Sequence, residues 1–389
     1  METARRRGIK APAMSARAST SGPERLFIGL HAGGADGADA ALVDVRGRGE
    51  QMTFRQLACI DGPFDAALRH KLESLAADAD THLDALSDLD AGVAGVMIGL
   101  AGELSAQAKA SRNKVAAIGM LGMRLGGGLE VPAPAALARG VKLPVVGRFD
   151  VADRAAGGNG GAVTAWPAWR LLRDRRLSRV LVELDEVAAI KFIGSAAAEC
   201  ELVAYDLGPG TIVFDAVSRG VLRRPPNEAA VLASRGKVNA ALLNELMAHP
   251  HFDRKWPKTT WRGDWAGAYV ERLKMMAARH DCKGRDLLAT AAEVTVRLVR
   301  AAIEAHTERP HEIILAGGGT ENPHLVRRIR SNMSPCSTYL ADRYGVGARA
   351  VSAVFAAVLA AARLDEFPAH IPAASGAARQ VVLGNVAEA

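Results

Sequence analysis

Glu312-Ile313-Ile314-Leu315-Ala316-Gly317-Gly318-Gly319-Thr320-Glu321-Asn322-Pro323 carries three structural signals in close succession. Ile313 to Ala316 form a short apolar run that reads as a buried strand. Gly317, Gly318 and Gly319 let the backbone turn sharply and approach a ligand with no Cβ in the way. Asn322-Pro323 opens a helix, because Pro suits the first helical turn, and His324 to Asn332 follow with helical spacing. A strand, a glycine turn and a helix N-terminus together seat a nucleotide or another anion. The same letters also spell an ordinary β–α turn, and the rest of the chain has to decide between the two.

The chain has 389 residues, enough for two domains with real cores. Hydrophobic residues make up 49%, aromatics only 5%, and there are 39 glycines, a composition that suits an Ala/Gly-rich α/β protein. The formal net charge is +7, but Arg5, Arg6, Arg7, Lys10 and Arg17 crowd the first residues. The excess belongs to a basic tail, residues 1–25, read as disordered, and does not imply a nucleic-acid partner. No apolar run free of charges and glycine breaks suggests a membrane span. Cys59, Cys200, Cys282 and Cys336 lie far apart with no CxxC spacing, which implies reduced thiols and a cytoplasmic protein.

Leu26–Leu30 and Ala40–Val45 read as strands joined by His31-Ala32-Gly33-Gly34-Ala35-Asp36-Gly37-Ala38-Asp39. Small residues at such a hairpin tip can hold phosphate through backbone N–H groups. Asp36 could hold Mg²⁺ through water, although Asp-Gly is also a common hairpin turn. Residues 62–110 read as helical, with 94–100 ambiguous between helix and strand. Leu143–Val146 leads into Asp153-Arg154-Ala155-Ala156-Gly157-Gly158-Asn159-Gly160-Gly161, an acid before a glycine-rich loop. Asp153 is either a general base or a turn cap. The second half repeats the opening, with Val180–Leu184 and Ala189–Ile193 as strands before Asp206-Leu207-Gly208-Pro209-Gly210. Two strand-rich units of similar order suggest a duplicated α/β core with a nucleotide cleft between halves.

Read in order, these pieces resemble the anhydro-N-acetylmuramic acid kinase family, within the sugar kinase, Hsp70 and actin superfamily. The resemblance runs from about Phe27 to Gly384 and rests on FIG…DGADAALVDV, VAAIG, LPVV…F…D.AAGG.G, DLGPG…D, PKTT.R, DLLAT.AEVT, AGGGTENPHL and SGAARQVVLG. It implies a two-lobed α/β fold, with a first lobe of 26–145 plus 366–389 and a second of 146–365. It further implies opening of a 1,6-anhydro sugar by water and phosphorylation of O6 from Mg·ATP, by a cytoplasmic homodimer with no membrane or nucleic-acid partner. Asp153 takes the place of the general base. Gly33, Gly34, Asp36 and Gly37 take the place of the first phosphate hairpin. Gly208 and Gly210 match a second glycine loop, Gly317, Gly318, Gly319 and Asn322 the adenosine-side motif, and Lys258 and Arg262 a PKSTGRE segment.

The chain also departs from the family pattern. His31-Ala32-Gly33-Gly34 replaces SGTS and removes two hydroxyls. Glu183-Leu184-Asp185-Glu186 replaces a glycine turn, which would set three carboxylates against the triphosphate. Met120-Leu121-Gly122-Met123-Arg124 replaces SHGQT. The resemblance with these losses implies either a kinase of weak activity or a pseudokinase that acts as a binding or dimerisation partner. With Asp153 as an accessible base, Asp153→Asn is expected to abolish turnover at little loss of stability.

Overall fold

A computed structural model of the chain describes residues 24–77, 83–110, 114–126, 128–195, 201–306 and 309–389. In chain order the first strands are β1 (Arg25–Gly34), β2 (Gly37–Arg46), β3 (Thr53–Pro63), β4 (Val115–Leu121), β5 (Met123–Gly126), β6 (Leu129–Val131) and β7 (Val145–Gly147). They are followed by β8 (Arg179–Leu184), β9 (Val187–Ile193), β10 (Val203–Pro209), β11 (Glu312–Ala316), β12 (Ser337–Leu340) and β13 (Asn385–Ala387). The basic tail and Cys200 lie outside the described residues.

The strands sort into two α/β units, as the sequence implied. Residues 24–75, 83–172 and 341–389 form the first unit, and residues 173–340 the second. The first sheet runs β13-β7-β4-β1-β2-β3 and the second β10-β9-β8-β11-β12. In both, three consecutive antiparallel strands are extended by two parallel ones, β4 and β7 in the first and β11 and β12 in the second. That shared order is the duplicated core. The boundaries differ from those expected at 145 and 365: the chain divides after Leu172 and after Leu340. The helix Val351–Leu364, assigned to the second lobe from sequence, packs on β1, β2 and β4 and so belongs to the first unit.

The reason lies in a glycine pair. Gly29 on β1 sits beside Gly119 on β4 in parallel register. A Cβ on Gly29 would lie 1.7 Å from the carbonyl oxygen of Ala353, and one on Gly119 1.9 Å from that of Ala356. Bare glycine on both strands lets the alanine-rich helix lie with its backbone against the sheet, and its residues from Val351 to Ala362 are all buried. No larger residue fits at either strand position.

The ambiguous stretch 94–100 is helical, within Leu83–Ala110. Val93, Met97, Leu100, Ala101 and Leu104 recur at helical spacing and enter the first unit's core, so the 3.6 period wins over the strand reading. By length and composition Asp84–Lys109 is also apolar enough to cross a membrane, which its glycines had disguised; here the helix packs on β1, β2 and β3. Strand β3 had no sequence expectation except at Gly62 and Pro63, which were expected to be helical and instead end the strand. It is mostly half-buried at the sheet edge, so its apolar alternation is weak. In the second unit, Gly284–Ala305 buries Leu287, Ala291, Val294 and Leu298 along one face.

Candidate active site

Asp153 sits on the short helix Phe149–Ala155, where the glycine-rich loop begins, and is fully buried. Its Oδ2 accepts the amide N–H of Gly160 at 2.7 Å. Its Oδ1 accepts His370 Nε2 at 2.7 Å and also the hydroxyl of Ser375. A Cβ on Gly158 would fall 2.3 Å from Oδ2, so the loop can close over the carboxylate only with glycine there. Burial pushes the Asp153 pKa up, but the hydrogen bonds from His370, Ser375 and the Gly160 amide outweigh it and hold the carboxyl below the ordinary aspartate range.

These three side chains are not a nucleophilic triad. The amide of Val381 donates to His370 Nδ1 at 3.3 Å, which leaves the ring proton on Nε2, facing Asp153. Ser375 gives its own proton to Asp153, and no base remains to activate it. The sequence reading passed over His370 and gave Ser375 no role. The signal available was a histidine bracketed by Pro368 and Pro372 in an otherwise apolar segment.

Cations surround the loop. Arg124 on β5 donates to the carbonyl of Gly160 at 3.3 Å. Arg148 and Arg154 flank Asp150 at 3.3 and 3.2 Å. Glu130 accepts the Gly122 amide at 2.7 Å, and its pKa is raised, chiefly by burial. The hairpin His31–Asp39 belongs to the same unit. Gly34 pairs with Gly37 across the β1–β2 turn, His31 lies close against Gly33, and Asp36 is exposed at the tip. Asp39 is buried and paired with Arg349, so it ties the hairpin down.

The second unit gathers the other motifs around the β8–β9 turn. The amides of Gly210 and Thr211 donate to the carbonyls of Glu186 and Asp185 at 2.8 and 2.9 Å. The amide of Gly318 donates to Asp185 Oδ1 at 3.0 Å. Gly317 and Gly319 pack against Leu184, whereas Gly208 faces Phe252. Asn322 caps the helix Pro323–Asn332 by accepting the amides of His324 and Leu325, both at 3.1 Å. Next to it the His324 pKa is pushed down to about 4 by burial and by Arg327 and Arg328.

The three acids of this turn do not act as one negative cluster. Glu183 is buried in an ion pair with Lys191, and Glu186 in one with Arg262. Each charge is met inside the unit, because an unpaired buried carboxylate would cost several kcal/mol. The expectation that all three face the triphosphate is therefore corrected: Asp185 alone touches the glycine turn. Lys258 is likewise committed. Its ammonium donates to the carbonyls of His251 and Phe252 at 3.0 and 3.2 Å, and burial lowers its pKa. Asp206 accepts the Thr259 hydroxyl at 2.5 Å and the Thr260 amide at 3.1 Å, and so anchors that segment.

The amides of the glycine turn suit an anion in kind, with Asp185 already on that of Gly318. Among the described residues no group of three or more His, Cys, Asp or Glu side chains could hold a metal ion. Asp36, exposed at the hairpin tip, is the carboxylate that would be available to hold Mg²⁺ through water.

Comparison with known proteins points one way. Residues 25–389 match the family model for anhydro-N-acetylmuramic acid kinase. The chain is 31% identical over 373 residues to the anhydro-N-acetylmuramic acid kinase of Gloeobacter violaceus, covering 93% of this chain and 98% of that protein. It is 29% identical over 381 residues to that of Salinibacter ruber, covering 93% and 96%. It is 28% identical over 391 residues to that of Caldanaerobacter subterraneus, covering 93% and 97%.

Proposed function

The chain belongs to the anhydro-N-acetylmuramic acid kinase family, and on that footing we propose that it phosphorylates an anhydro amino sugar from ATP, with a weakened hold on the triphosphate. The observation that carries this reading is Asp153, an anion kept ready in a built network beside a glycine loop. Mg·ATP supplies the phosphoryl group. Asp153 takes the proton of the water that opens the sugar. Arg124, Arg148 and Arg154 line the acceptor side and favour an acceptor that carries a carboxylate. Gly33, Gly34, Gly37, Gly208, Gly210 and the turn Gly317–Gly319 hold the nucleotide, Asn322 shapes its helix end, and Asp36 holds Mg²⁺. The protein works in the cytoplasm as a homodimer.

The weakened hold follows from the β8–β9 turn and the hairpin. Asp185 lies on the Gly318 amide, and the hairpin offers His31 and Ala32 where hydroxyls would help. Phosphoryl transfer depends on positioning and charge stabilisation, so losses there reduce turnover directly. A second reading, a pseudokinase that serves as a binding or dimerisation partner, is favoured by that same Asp185 contact.

Titration calorimetry with Mg·ATP, ADP and adenosine, followed by a phosphorylation assay on 1,6-anhydro-N-acetylmuramic acid, separates the two. The kinase reading expects measurable turnover and an ATP dissociation constant near or above ~1 mM, about −4 kcal/mol of binding. Absence of turnover at saturating ATP together with a stable dimer gives the pseudokinase its place.

A further inference from the structure

The polar cluster at Asp153 is built by a remote part of the chain. Residues 369–381 reach the glycine loop through backbone and side chains alike. The amide of Asn159 donates to the carbonyl of Ser375 at 3.0 Å, and that of Ala378 to the carbonyl of Ala156 at 2.8 Å. Gln380 holds the His370 carbonyl at 2.9 Å. His370 and Ser375 are buried along with Asp153, at 2% and 3% exposure.

A carboxylate oxygen accepts about two hydrogen bonds. Oδ1 therefore has both positions filled, by His370 and Ser375. Oδ2 has one filled, by Gly160, and one left. We propose that His370 is a positioning residue for Asp153: with Ser375 it saturates Oδ1, fixes the plane of the carboxylate, and leaves Oδ2 as the single oxygen able to take a proton. The catalytic meaning rests on the reading of Asp153 as the base, while the positioning itself does not.

His370 cannot serve as a proton acceptor in this arrangement, since Nε2 already carries its proton and Nδ1 is held by the Val381 amide. Its part is to stabilise the anion and aim it. Among the described residues, few charged or titratable groups lie near Asp153. Asp150 and Arg154 on its own helix pair with each other, Arg124 on β5 reaches the loop at Gly160, and His370 approaches from the C-terminal segment. Of these only His370 hydrogen-bonds the carboxylate, so its removal should be felt specifically by Asp153.

The test uses the full-length chain labelled with [¹³C-carboxyl] aspartate, with the Asp153 signal assigned by its loss in Asp153→Asn. His370→Phe should raise the Asp153 titration midpoint by about one unit, and His370→Gln, which keeps a donor, should restore part of the shift. Ser375→Ala removes the other donor on Oδ1, raises the midpoint in the same direction, and carries the test if His370→Phe fails to fold. An Asp153 midpoint that stays within about 0.2 units of the parent in each folded variant overturns the proposal. On 1,6-anhydro-N-acetylmuramic acid with Mg·ATP, His370→Phe should lower kcat by roughly 10- to 100-fold and move the acid limb of the pH profile upward with the midpoint. If the midpoint moves but Asp153→Asn leaves turnover intact, the positioning stands and the assignment of Asp153 as base falls.

Discussion

Asp185 Oδ1 and the amide of Gly318 are hydrogen-bonded at 3.0 Å, so a side chain of the β8–β9 turn occupies an amide of the glycine turn. Asp185 thereby meets both glycine loops of the second unit, with its carbonyl on the Thr211 amide and its carboxylate on that of Gly318. Such an amide is the kind of donor a phosphate oxygen would use. An acid placed on it both fills the donor and repels an incoming phosphate.

Removing that acid is the first expected gain. Asp185→Gly frees the Gly318 amide and deletes a charge that, at ~4–6 Å and an effective dielectric near 20, costs about 3–4 kcal/mol per phosphate charge before salt screening. Calorimetry should show Mg·ATP binding strengthened roughly ten-fold or more and adenosine binding unchanged. Equal gains for ATP and adenosine would mean that Asp185 acts on turn geometry rather than on charge.

Asp153→Asn changes a carboxylate that is buried as well as proposed to be the base. The amide NH₂ would confront donors from Gly160, His370 or Ser375, an unmade hydrogen-bond arrangement worth about 1–3 kcal/mol or more. Turnover should be lost and the Tm lowered by several degrees, in place of the small change expected from sequence. Because the folded-state pKa lies below the unfolded value of about 3.9, the carboxylate's contribution is fully present above that value and is lost as the pH falls through the folded pKa. Calorimetric melts taken from about pH 5 downward should show a shallower loss in Asp153→Asn than in the parent. Parallel slopes for the two would remove this account of the carboxylate.

The buried pairs in the second unit make a separate prediction for stability. Lys191→Met leaves Glu183 buried and uncompensated and should cost about 3–5 kcal/mol by urea unfolding. The double change Lys191→Met with Glu183→Gln should recover most of that loss. A single variant as stable as the parent would place Glu183 in contact with solvent.

Much of the frame was legible in the letters. Ile313 to Ala316, the glycines after them and Asn322-Pro323 were readable because apolar runs, glycine turns and helix caps are local chemistry, decided within a few residues. The repeat of strands between the two halves was readable for the same reason. Strand β3 was not, since an edge strand that is half-buried on both faces shows no clean alternation. The partners of Asp153 were not, because His370 and Ser375 lie more than two hundred residues away in the chain.

By itself the sequence determined the family, the two α/β units and the placing of candidate motifs on turns, all of which depend on local patterns and their order. Only the tertiary structure decided what the charged residues do. Glu183, Asp185 and Glu186 look alike as three neighbouring acids, yet two find buried cations and one finds a backbone amide. Asp153 reads as an open base but is enclosed by donors from the far end of the chain. Burial and pairing set the energy of a charge, and both depend on contacts distant in sequence, which no local pattern records.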